Sequence, residues 1–107
     1  MTHYLVRAKP KPQLLDELAD KLKENAFLHL RPFGQSLSQG LNSARWESNG
    51  SAVWEEEDYC SPPLAMEREA VLDRYFDEIT VERVARDEGW MRIATLPPLF
   101  PDVVEIR

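Results

Sequence analysis

The chain has 107 residues but only one cysteine (Cys60), two histidines (His3 and His29) and four glycines, at positions 34, 40, 50 and 89. A single cysteine leaves no intrachain disulfide and no cysteine-based zinc cluster. Two histidines do not make a His-rich metal site. Glycines so few and so far apart form neither the GxGxxG turn of dinucleotide binding nor a phosphate-cradling loop, and HExxH and GxSxG are missing as well. No apolar run approaches the ~18 residues of a membrane span, and the first seven residues lack the apolar stretch of a signal peptide. Positive charge is also short, with 13 Lys/Arg against 19 Asp/Glu and a net charge of −6, which argues against a nucleic-acid partner. These absences lead us to expect a cytoplasmic protein with no membrane or nucleic-acid partner, no metal and no cofactor.

What is present fits one globular unit. Hydrophobic residues make up 43% and charged residues 30% of the chain, a balance that sustains a core without staples at this length. The charge is uneven. Residues 1–31 hold six Lys/Arg against four acids, residues 32–66 hold Arg45 against five acids, and residues 67–107 hold six Arg against ten acids. A mildly basic start therefore precedes an acidic middle and end, an arrangement suited to a homo-oligomer or to a protein partner that meets the acidic surface.

Periodicity predicts the elements. Residues 3–9 alternate as a strand, with Tyr4, Val6 and Ala8 on one side. Residues 13–25 carry Leu14, Leu15, Leu18, Ala19 and Leu22 at helical spacing, with acids early and lysines late, as the helix dipole favours. A second short helix is expected over 35–43, weakened by Gly40, with a strand as the alternative. Asn49-Gly50 marks a hairpin; the register that makes one apolar face, Trp46 with Ala52 and Ala44 with Trp54, is preferred over a two-residue turn that would pair Trp46 with Val53 and Arg45 with Trp54. Ser61 as N-cap and Pro62 at the first helical position open a helix whose apolar face runs from Leu64 to Ile79. Residues 80–86 read as a strand, 87–89 as a turn and 90–96 as a further short strand. Residues 97–101 are proline-rich and extended. The order is that of an α+β domain over 1–96, with an extended Pro-rich tail over 97–107. It resembles the ferredoxin-like split-βαβ plan, a sheet with two main helices on one face, an architecture that hosts many unrelated functions.

Several residues are candidates for a site. In the run Glu55-Glu56-Glu57-Asp58, Glu55 and Glu57 project to one side of a strand and Glu56 and Asp58 to the other. Same-side carboxylates about 7 Å apart can bind a hard cation or act as an acid/base pair; the commoner reading is a strand edge shielded by charge. Glu69, Asp73 and Asp77 fall on one helical ridge, a solvated face or a docking surface for a basic partner. Cys60 precedes a helix start, where a thiol is sometimes reactive and more often inert. Trp46 and Trp54, with Arg7 and Arg45 nearby, form a candidate face for a planar or anionic small molecule; core packing is the default for such indoles. Two functions compete. The first is a non-enzymatic interaction or accessory module that self-associates. The second is a small-molecule-binding or enzymatic dimer using the Trp face, with Glu55, Glu57 or His3 as polar groups.

Overall fold

The computed structural model describes residues 2–101; residues 102–107 of the expected tail lie outside them. It is an α+β structure built on a four-stranded antiparallel sheet of order β2-β3-β1-β4. The strands are β1 (Thr2–Pro10), β2 (Arg45–Trp46), β3 (Ala52–Asp58) and β4 (Phe76–Val84). The helices are α1 (Leu15–Lys23), α2 (Gly34–Asn42), α3 (65–75) and α4 (Glu88–Arg92). Among the described residues no helix is long and apolar enough to cross a membrane.

Registers separate the two faces of the sheet. Val6 pairs with Trp54 and Ala8 with Ala52 on one side, while Leu5 pairs with Glu55 and Arg7 with Val53 on the other. The first side carries the main core, where Val6, Ala8, Ala52, Trp54 and Phe76 meet Leu18 and Leu22 of α1, Leu37 and Leu41 of α2, and Val71 and Leu72 of α3. On the second side Leu5, Val53 and Val84 pack with Ile93, just after α4. The hairpin has the expected register, Trp46 opposite Ala52, with Gly50 at φ 84° in the turn.

α2 forms where expected despite its glycines, because both are close approaches. A Cβ on Gly34 would collide with the Phe27 and Leu28 carbonyl oxygens, and one on Gly40 would lie 2.7 Å from Trp54 Cδ1 and 3.2 Å from the Glu55 oxygen. The helix-propensity cost of Gly40 is thus offset by direct seating of α2 on β3.

Three local expectations are corrected. The second main helix starts at Ala65 rather than after Ser61. Leu64, at φ 63°, reverses the chain, and its N–H is capped by Asp58 Oδ2 at 2.7 Å. That helix also ends at Tyr75, and Phe76 begins β4, since the β-branched run Ile79-Thr80-Val81 favours a strand. The acidic ridge is broken as a result, and Asp77 sits on β4. Finally, residues 90–96 are not a strand. Asp87 turns the chain at φ 67° and Glu88–Arg92 coil into α4.

The outer strand β4 is bulged. Its pairing with β1 jumps from Arg7–Thr80 to Lys9–Asp77, and Glu78 takes φ 52° within the jump, a device that bends an edge. At the other end of the sheet, residues 97–100 run beside β2. Trp46 N–H donates to the Pro97 oxygen and Leu99 N–H to the Ala44 oxygen, each at 2.8 Å, and Leu99 and Phe100 are buried in the main core.

A carboxylate-lined cleft as candidate functional site

The acidic run on β3 is mostly turned inward. Glu55, Glu56 and Asp58 are buried, and β3 is an inner strand with β1 on one side and β2 and α2 on the other. β2 itself meets β3 only at Ala52 and Val53, and each buried carboxylate beyond them needs a local partner.

Glu55 anchors α4. Gly89 N–H donates to its Oε1 at 2.7 Å, Trp90 N–H to the same oxygen at 3.3 Å, and Asp87 N–H to Oε2 at 2.8 Å. These are N–H groups that a helix start leaves without intrahelical partners. His3 lies between two carboxylates, with Nδ1 3.5 Å from Glu55 Oε2 and Nε2 3.4 Å from Glu57 Oε2. Glu57 also accepts the Tyr59 O–H at 3.0 Å.

On the opposite face Glu56 and Asp58 meet Glu67, which closes the first turn of α3 and is 0% exposed. The Glu56 and Asp58 carboxylates stand beside the Glu67 carboxyl and act on it electrostatically. Trp54 Nε1–H donates to Glu56 Oε1 at 2.9 Å. Glu56 Oε2 and both Glu67 oxygens have no donor among the described residues. An ionised carboxylate in such a place costs several kcal/mol. Burial, followed by the adjacent Glu56 and Asp58 carboxylates, pushes the Glu67 carboxyl up to about 12. Burial also raises Glu56, against opposing hydrogen bonds from Glu67 and Trp54. At Asp58 burial works upward too, but the Glu67 carboxyl and the N–H groups of Leu64, Cys60 and Tyr59 carry it below the ordinary Asp range.

Backbone distortion gathers at the same place. Leu64 is left-handed, and a π-turn over Arg68–Leu72 follows Glu67 directly. Both are unfavourable locally and concentrate at functional sites.

A cleft of about 410 Å³ opens where α2, the end of β3 and α4 converge. Its walls include His3, Gln39, Glu56, Glu57, Asp87 and Trp90, with Arg86 also at its lining. Carboxylates outnumber cations there, so the cleft favours positive charge. Among the described residues no group of three or more His, Cys, Asp or Glu side chains is arranged to hold a metal ion.

Of the residues singled out in the sequence, Glu55, Glu57 and His3 come together at this cleft. Trp54 is fully buried, its ring 5.3 Å from that of Phe76, and its N–H donates to Glu56 in the cleft wall. Trp46 lies on the same side of the sheet at the margin of the main core. Arg7 and Arg45 flank Val53 instead. Arg7 pairs with Glu47 at 3.1 Å and Glu82 at 3.3 Å, and Arg45 donates to the Leu96 oxygen at 2.7 Å. Asp73 is exposed and pairs with Arg68 at 3.4 Å. Cys60 is a half-buried free thiol. Glu67 was not singled out, although its position was readable. It falls three residues after Leu64 and four before Val71, on the apolar stripe.

Comparison with family models, curated proteins and solved structures finds no match.

Proposed function

We propose that this is a small-molecule-binding protein whose cleft takes a small organic cation, a primary ammonium or guanidinium group. The carrying observation is the charge of the cleft wall, where Glu55, Glu56, Glu57 and Asp87 stand against Arg86 as the one Lys or Arg of the lining. A cationic head group balances that charge, and the half-buried Trp90 indole in the same lining can stack on it. Titrating n-butylammonium and methylguanidinium against tryptophan fluorescence tests the reading. Saturable quenching by both, with none by acetate or phosphate, supports it, and Glu56→Gln weakens the response at least about tenfold. Equal responses to cations and anions, or no response, would sink it.

The strand order β2-β3-β1-β4, with helices between β1 and β2 and between β3 and β4, supports the finer reading of the fold as a ferredoxin-like split βαβ. A second functional reading, a module that pairs with its own copy, is favoured by the outer edge of β4, which has no neighbouring strand among the described residues. The Glu78 bulge and the edge charges oppose such pairing. Light scattering at high micromolar concentration decides: a dimer supports it and a strict monomer excludes it.

A further inference from the structure

We infer that Glu67 is a positioning residue for the cleft: a neutral carboxylic acid whose O–H donates to Glu56 Oε2 and so keeps Glu56 ionised behind the cleft wall. Its purpose rests on the cation-binding reading; its chemistry does not. Three buried carboxylate oxygens, Glu56 Oε2 and both of Glu67, have no donor among the described residues. One proton on Glu67 supplies the donor that Glu56 needs. Glu56 then holds Trp54 N–H on Oε1 and Glu67 O–H on Oε2, and hydrogen bonds to the charged form favour ionisation. Asp58, the other neighbour, already accepts the Cys60 and Leu64 N–H groups on Oδ2 at 3.1 and 2.7 Å, so its need is smaller.

No cation does this work instead. Across the sheet, Tyr4 of β1 stands opposite Glu56 and Arg83 of β4 opposite Tyr4. Along α3 the flanking charges Arg68 and Glu69 are exposed, and Arg68 pairs with Asp73. α2, which packs over β3, has no titratable side chain. Among the described residues, none of the ion pairs reaches Glu56, Asp58 or Glu67.

Infrared spectroscopy at pH 7 tests the proton directly. Wild type shows one carboxylic-acid carbonyl band. Glu67→Gln shows none, because its amide N–H replaces the acid and Glu56 stays ionised. Glu67→Leu shows one again, now from Glu56, which takes up a proton when its second donor is lost. In the n-butylammonium titration Glu67→Gln stays within about threefold of wild type, whereas Glu67→Leu binds at least about tenfold more weakly and recovers as the pH is raised. The inference is overturned by a wild type without the band, or by Glu67→Leu with no band and an unshifted pH profile. Wild type that shows the band pattern but does not bind the cation supports the proton assignment and overturns the ligand reading alone.

Discussion

Glu67→Gln stabilises the protein at pH 7 by about 3 kcal/mol, and the gain grows as the pH rises. In the unfolded chain Glu67 has its ordinary pKa of 4.5, and in the fold it is pushed up to about 12. A group whose folded pKa is raised contributes fully below the unfolded value and loses that contribution as the pH climbs toward the folded one. From pH 4.5 to neutrality, folding must therefore take up a proton against a gradient of about 1.4 kcal/mol per pH unit, or roughly 3 kcal/mol at pH 7. The amount at pH 7 depends only on the folded value lying well above 7. Gln keeps the shape and a donor and removes this cost. Urea unfolding at pH 5, 7 and 9 reads the effect: wild type loses stability across the series relative to the variant by about one proton's slope. Parallel pH dependences would show that Glu67 is ionised in the fold.

Glu55→Ala acts in the opposite direction, with a loss of about 3 kcal/mol. Three backbone N–H groups, those of Asp87, Gly89 and Trp90, end on this carboxylate. Removing one buried acceptor strands each donor at about 1–3 kcal/mol, less where cleft water replaces it. Glu55→Gln is milder, since its carbonyl oxygen can retain Gly89 and Trp90 while its amide faces the Asp87 N–H. Urea unfolding gives the total. Hydrogen exchange at Gly89 locates it, because α4 is released before the main core opens. A Glu55→Ala protein within about 0.5 kcal/mol of wild type would remove Glu55 as the anchor of α4.

Much of the framework was legible, because alternation on β1, the α1 stripe and the Asn49-Gly50 turn are local signals that agree with the tertiary structure. The failures share one cause, namely contacts supplied from elsewhere in the chain. Residues 88–92 coil where Glu55, more than thirty positions earlier, accepts the Gly89 and Trp90 N–H groups. Ser61 looked like a cap, but Asp58 caps one turn later at Leu64. The candidate site was half visible. The alternation of Glu55 and Glu57 against Glu56 and Asp58 was readable, but its burial was not, since four consecutive acids ordinarily stay in water. An acid on the apolar stripe at position 67 was the overlooked sign that the run turns inward.

Leu99 and Phe100 have a consequence for synthesis. They complete the core that also contains Leu18 and Leu22, and residues 97–99 bond β2 across some fifty positions of sequence. A ribosome making this chain releases β1, α1 and the hairpin long before the residues that seal them together. Until position 100 emerges, the nascent protein holds an open seam between α1 and β2. The fold is thus closed by a segment that leaves the ribosome after every strand and helix it seals.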